Sequence, residues 1–471
     1  MTAGPRQALD PHLHQAFRDI VGAPHVLLDA DSRERYGTDA LQIGHPADIV
    51  LLAADTQQIA AIARLCNTHR IPLVVRGAGT GYTGGAVPVH GGVVLSMERL
   101  SRILEIDDEN LLAVVQPHVI TRDLQDAVEA RGLFYPPDPA SLKQSSLGGN
   151  VAECAGGPRA VKYGTTKRYV LALEAVLPTG EVIRTGSKAV KNVVGYDLTQ
   201  LLVGSEGTLA ILTEITLRLV PKPAVQATLQ ATFISIDAAV RAVSLVLASR
   251  VVPATVEIID GESLRAVERR LARAVAPAGT GAMLIIEVDG VPGGVAEEAQ
   301  RVLAACQEAG AISVSQASDD AERDRIWEAR RELSFALRAL APRKINHDLV
   351  VPRGRVPQLF ELVRRVREKH RLLIPCFGHA GDGNIHVNLM VDPADADQMR
   401  RAARAERELF EGVVALEGSI SGEHGIGFSK APFLGLELSA DAMALMQRVK
   451  LAFDPHEILN PGKLWSPGDR S

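Results

Sequence analysis

The sequence predicts an α+β chain of two or three domains, the last built on an open antiparallel sheet layered with helices. Three observations predict it. A length of 471 residues exceeds what one compact core covers, and 46% apolar residues can fill more than one. Up to about residue 222, short apolar runs alternate with Gly and Pro clusters. Beyond Pro221-Lys222-Pro223, strands alternate with Ala/Val/Arg-rich amphipathic helices, the pattern of an α+β layer.

Residues 1–42 read as an N-terminal segment adapted to the domain after it. "ADIVLLA" (47–53) has the continuous apolar character of a buried strand. "TQQIAAIARLCNTH" (56–69) places Ile59, Ile62, Ala63 and Cys66 at helical spacing, and "IPLVV" (71–75) comes next as a second strand, giving a βαβ unit. "LPTGEVIRTG" (177–186) carries a hairpin signal, and "EITLRLVPKP" (214–223) closes the first half. In the second half, helices are expected at 237–249, 295–309, 327–338 and 400–416, with strands between them.

Composition removes several function classes. The 51 basic and 56 acidic residues give a net charge of −5, and aromatics make up only 4%, so no nucleic-acid footprint is present. Cys66, Cys154, Cys306 and Cys376 form no C-x-x-C pair, which argues against a cysteine zinc site or an iron–sulfur cluster held by this chain. Such scattered thiols fit a reducing, cytoplasmic setting. No 18-residue apolar run or signal-type N-terminus is present, so membrane contact is expected only at the inner face and through a partner.

The stretch "VVRGAGTGYTGG" (74–85) formally matches the dinucleotide fingerprint through Gly79, Gly81 and Gly84. That fingerprint must open a helix. Here the next residues are "AVPVHGGVVLSM", so the chain runs strand, loop, strand. Such a loop can still turn its N–H groups towards a pyrophosphate, or it is simply a tight hairpin. Two more clusters, "SSLGGNVAECAGGPRAVKYG" (145–164) and "LVGSEGTLAILTEITLRL" (202–219), suggest one large polar cofactor lying across the domain.

In the second half, "CFGHAGDGNIHVN" (376–388) sets His379 before a glycine turn and His386 on the strand after it. A hairpin returns the two imidazoles to one another, and His386, Asn388 and Met390 share one face of that strand. "SGEHGIG" (421–427) offers Glu423 as a carboxylate. Two imidazoles and one carboxylate with open positions make a catalytic metal site. The competing reading is a pair of ordinary histidines and an exposed acid.

The motifs "RGAGTGYTGG", "PPDPASLKQSSLGGNVAECAGG", "KYG", "GYDLTQLLVGSEGTL" and "FDPHEILNPGK" resemble the FAD-linked oxidase family over residues 45–464. This is the vanillyl-alcohol-oxidase or p-cresol-methylhydroxylase (PCMH) type. Within it the resemblance is strongest to glycolate oxidase FAD subunits, D-lactate dehydrogenases and D-2-hydroxyglutarate dehydrogenases. It implies a PCMH-type FAD-binding domain of two α+β subdomains at 43–221 and a substrate and metal domain at 222–464. Arg76, Gly77, Ala78, Gly79, Thr80, Gly81 and Tyr82 would hold the pyrophosphate. Gly84, Gly85, Pro137, Asp138, Ser146, Gly148, Gly149 and Asn150 would line the flavin, as would Gly204, Glu206, Gly207, Leu209 and Ile211. The pyrophosphate loop holds no His or Cys, and His90 and Cys154 nearby read as structural, so the FAD is expected to be non-covalent.

The family's His-x-G-D-G-N-x-H and G-E-H-G-x-G motifs fall here on His379, His386 and Glu423 as ligands of one divalent metal, expected to be Zn2+. His424 then serves as the base for the hydroxyl proton, and Asn388 hydrogen-bonds substrate oxygen. A substrate carboxylate calls for a bidentate arginine. The helix 327–338 offers Arg330 and Arg331, and the resemblance favours Arg330, with Ser334 one turn on. Lys344 is the lysine nearest the family's substrate lysine, at a different spacing, which points to glycolate or lactate and away from a dicarboxylate.

The expected activity is FAD-dependent, metal-assisted oxidation of a D-2-hydroxy acid to the 2-oxo acid by hydride transfer to flavin N5. Electrons would leave through an iron–sulfur subunit, an electron-transfer flavoprotein or a quinone, in a homodimer or hetero-oligomer. A metal-dependent hydrolase would instead be colourless. A non-catalytic flavoprotein subunit would be yellow but inert to 2-hydroxy acids.

Overall fold

The computed structural model describes residues 10–465, so residues 1–9 of the expected N-terminal segment lie outside it. The chain divides into two compact units. The first holds the residues up to Ala155, Thr165–Lys222 and those from Glu423 onward; the second holds Gly156–Gly164 and Pro223–Gly422.

The first unit is built on two main sheets. Strands Ile49–Leu52 and Leu73–Arg76 flank Val93–Ser96, and both pair with it in parallel. The expected βαβ unit is therefore present, with a third strand between its two. Helix Thr56–His69 starts where Asp55 accepts a hydrogen bond from the Gln58 N–H, and it buries Ile59, Ile62, Ala63 and Cys66. From the N-terminal region, Phe17, Val21 and Val26 join the same core. The second sheet is antiparallel and runs Ile103–Asp107, Leu112–Val115, Ile211–Arg218, Val170–Val176, Val182–Gly186; its last pair is the hairpin expected at 177–186.

Residues near 460 complete this unit. Leu73 N–H donates to Ile458 O, and Asn460 N–H donates to Leu73 O, both at 2.8 Å. Ile458 and Leu459 are buried in the core around Leu73 and Leu95. The Lys463 ammonium, itself buried, donates to Val87 O at 2.6 Å.

The second unit carries a seven-stranded sheet with every paired neighbour antiparallel, as the alternation of strands and helices predicts. Its order is Ser313–Gln316, Val225–Phe233, Ala282–Gly290, Thr255–Asp260, Cys376–His379, Asn384–Val391, Arg343–Val350. Helices Ile236–Ala248, Gly261–Leu271, Pro292–Glu308, Asp320–Arg338, Val356–His370 and Ala396–Ala415 accompany it. Ile259, Met283, Ile285 and Phe377 pack with Ile326, Leu333 and Leu337, so helix Asp320–Arg338 covers this part of the sheet. Among the described residues no helix is long and apolar enough to cross a membrane.

Candidate active site

The glycine loops of the first unit lie together. Asn460 ties two of them, its side-chain amide donating to Gly85 O at 3.0 Å and to Glu206 O at 2.7 Å. A Cβ on Gly77 would strike the Ser146 hydroxyl, and one on Gly84 the Phe428 ring. Gly84, at φ +83° and against a ring, has to be glycine, whereas at Gly77 the Ser146 hydroxyl would have to turn away. Gly81 is different, because the nearest atom to an added Cβ is Asp39 Oδ2 at 3.9 Å. Bare backbone there, with the Arg76 guanidinium held beside the loop by Thr38 O at 2.5 Å, fits a pyrophosphate.

Not every residue expected to line the flavin turns a polar atom outward. Asn150 donates to Thr121 Oγ1 at 2.7 Å, and Pro137 O accepts from Gln125. Leu209 and Ile211 are buried in the core. Glu206 uses its buried carboxylate to receive the N–H groups of Ile426 and Gly427, each at 2.7 Å. It thereby clamps the end of the 421–427 loop. Thr83 holds the middle of that loop, its hydroxyl donating to His424 O at 3.1 Å, and the Tyr82 ring lies 5.2 Å from the His424 ring.

In the second unit the hairpin expected at 376–388 forms, with Gly383 at φ +91° in its turn. Its first strand begins at Cys376, directly after Pro375. Proline has no N–H for the ladder, and Pro375 O instead accepts from the N–H and the amide of Asn388. His379 and His386 are both buried, with ring centroids 5.3 Å apart. The chain approaches Glu423 from an anchored position: Gly422 N–H donates to Asp348 Oδ2 at 2.9 Å, and Asp348 pairs with His386 across the sheet. A side chain at Gly422 would strike the Asn384 amide and displace it. One ligand atom from each of His379, His386 and Glu423 can be chosen so that all lie within 4.8 Å of one another. Two imidazole nitrogens and one carboxylate oxygen are a donor set that fits a zinc-type ion. His424 is the next residue, with Nε2 3.9 Å from Glu423 Oε1.

The remaining expected residues divide. Arg330 is buried over the Phe377 ring at 4.8 Å. Lys344 donates to Ser334 Oγ at 2.7 Å; burial, with help from Arg338 and Arg330, lowers its pKa to about 8. Asn388 spends its amide inside the protein, donating to Pro375 O and His386 O and accepting from Asn346. It braces the strand that carries His386.

Two acids were not singled out from the sequence. Asp348 sets the start of the 421–427 loop. Glu257 is fully buried on strand Thr255–Asp260, paired across the sheet with His379. One of its oxygens meets His379 Nδ1 and the other the Nε–H of Arg330. Burial alone would raise its pKa, but the neighbouring Arg330 and His379 hold it down to about 2. The signal for both was an acid inside an apolar strand, "TVEIID" and "HDLVV".

Residues 222–464 match the family described as "FAD linked oxidases, C-terminal domain", and residues 47–186 match "FAD binding domain". The chain is 44% identical to glycolate oxidase subunit GlcD of Bacillus subtilis, over 96% of both chains. It is 39% identical to the Escherichia coli K12 protein of that name, over 95% of this chain and 90% of the other. It is 35% identical to D-lactate dehydrogenase of Anaerostipes hadrus, over 96% and 97%. Among solved structures, p-cresol methylhydroxylase with substrate bound superposes with a TM-score of 0.81 at 19% identity, over 98% of both chains. An alkyldihydroxyacetonephosphate synthase gives 0.75 at 18% identity, over 98% of this chain and 87% of the other.

Proposed function

The chain belongs to the FAD-linked oxidases, and from that premise we propose that it oxidises a small D-2-hydroxy acid, of the glycolate or D-lactate type, to the 2-oxo acid. The observation that carries this reading is the gathering of His379, His386 and Glu423 with His424 beside them. Bound FAD supplies the hydride acceptor, and one bound divalent ion, Zn2+ by the donor set, lowers the pKa of the substrate hydroxyl. Oxidation removes a hydride from Cα and a proton from the hydroxyl. An imidazole nitrogen of His424 takes that proton. Arg330 commits its Nε–H to Glu257 and offers its remaining guanidinium donors to the substrate carboxylate.

Electrons leave through a separate acceptor, since the cysteines of this chain are dispersed and unsuited to a cluster. The relatives named as glycolate oxidase subunits support an assembly with further chains.

The test is anaerobic flavin bleaching across a panel of D- and L-2-hydroxy acids. D-Lactate or glycolate should bleach the yellow protein. Yellow protein that no 2-hydroxy acid bleaches would favour a non-catalytic flavoprotein, and colourless protein a hydrolase.

Two further results are expected. Cys154 caps helix Leu147–Glu153 in a left-handed conformation 3.4 Å from Thr165 Oγ1, which supports a structural use and non-covalent FAD. Acid precipitation should therefore release the flavin into the supernatant; colour retained in the pellet would refute this. Lys344 adds to the positive charge around Arg330 and loses its proton as pH rises through about 8. A charge–charge effect of about 1 kcal/mol at a half-buried site implies a roughly five-fold rise in KM above that pH. Lys344→Met should show the raised KM at every pH, and an unchanged profile would remove Lys344 from substrate binding.

A further inference from the structure

Glu257 stands where no exposed acid would survive. It is fully buried in the middle of the apolar strand Thr255–Asp260, and both carboxylate oxygens are used, one by His379 Nδ1 and one by Arg330 Nε. The register sets this up, since Glu257 and His379 are direct partners across adjacent strands. Arg330 arrives from helix Asp320–Arg338 and rests on Phe377, whose ring also lies 5.2 Å from His386. One carboxylate therefore touches a residue assigned to the metal and a residue assigned to the substrate.

We infer that Glu257 is a positioning residue for both, fixing His379 as a metal ligand and Arg330 as the substrate-carboxylate receptor, so that metal affinity and substrate recognition are coupled through one side chain. This rests on the function proposed above. When Glu257 accepts the Nδ1–H of His379, the lone pair is placed on Nε2 and the ring is held in one tautomer. When it accepts the Nε–H of Arg330, the guanidinium plane is fixed.

Both oxygens must be acceptors, which makes the isosteric amide informative. In Glu257→Gln the NH2 group has to face one of the two. Towards His379 it would demand an acceptor at Nδ1 and move the proton to Nε2, the wrong tautomer for a ligand. Towards Arg330 it would set donor against donor.

The experiment uses FAD-loaded wild type, Glu257→Gln, Glu257→Asp and Arg330→Gln. Zn2+ binding to metal-stripped protein is measured by equilibrium dialysis without substrate. Flavin reduction by D-lactate and glycolate, FAD content and Tm are measured on the same preparations. Glu257→Gln should weaken Zn2+ binding by about 10–100-fold and raise KM, with FAD content retained. Arg330→Gln should raise KM alone. Glu257→Asp, whose carboxylate is drawn back by one methylene, should weaken Zn2+ binding in the same direction and carries the test if Glu257→Gln fails to fold.

Wild-type metal affinity in whichever Glu257 variants fold would overturn the inference while leaving the proposed function standing. So would equal metal loss in Arg330→Gln, which would mark general packing. Failure of both Glu257 variants to fold would assign the residue to the scaffold and overturn it too. Wild-type protein that binds no Zn2+ would overturn the inference together with the metal part of the function.

Discussion

Replacing His424 by Ala is expected to slow single-turnover flavin reduction by about 10²–10⁴-fold, the usual contribution of a general base. Metal content and FAD content should stay at wild-type levels. The neighbouring residue should fail differently: Glu423→Ala should lose the ion. The separation comes from geometry. The backbone of His424 is held by Thr83, and the end of its loop by Glu206, through main-chain groups that the substitution leaves in place. Substrate affinity should change far less than rate, because the function proposed above assigns the carboxylate to Arg330. A purely structural imidazole would instead give protein poorly loaded with flavin whose folded fraction reduces normally. Wild-type reduction in His424→Ala would assign the proton to another group.

Replacing His386 by Ala is expected to remove the divalent ion and turnover together while FAD remains. A site with three protein ligands has none to spare. Losing one should cost more affinity than the about 10–100-fold typical of losing a hydrogen-bond partner outside the coordination sphere. Elemental analysis should find about one divalent ion per chain in the wild type, as one three-ligand site implies, and none in the variant. The strand itself should hold, since Asn388 braces it through Pro375 O and Asn346 independently of the imidazole. Full activity without metal in His386→Ala would refute the site.

Much of the architecture was legible because local signals agreed with it. Helix Thr56–His69 has an aspartate cap and an apolar stripe, and Cys376–Val391 has a glycine turn between two apolar runs. The insertion of Val93–Ser96 between Ile49–Leu52 and Leu73–Arg76 was not legible, because pairing order depends on contacts that no local pattern encodes. The candidate site divides in the same way. His379, His386 and Glu423 stand in glycine-rich stretches where such residues are conspicuous. Glu257 and Asp348 act across 122 and 74 residues of sequence, and nothing near them in the chain names their partners. Glu206 lay within a stretch expected to line the flavin, but its carboxylate serves another loop, a distinction that only side-chain direction could make.

The completion of the first unit by residues 458–463 bears on how the protein is made. A ribosome that has reached residue 222 has already synthesised both of its main sheets. Yet Leu73 still lacks the backbone of Ile458 and Asn460, and Gly85 and Val87 lack the Asn460 amide and the Lys463 ammonium. The whole second unit must be translated before those groups emerge. The strand before the first glycine loop and the residues just after it thus receive these partners only once the second unit has been translated, so the unit is completed by a segment distant in sequence.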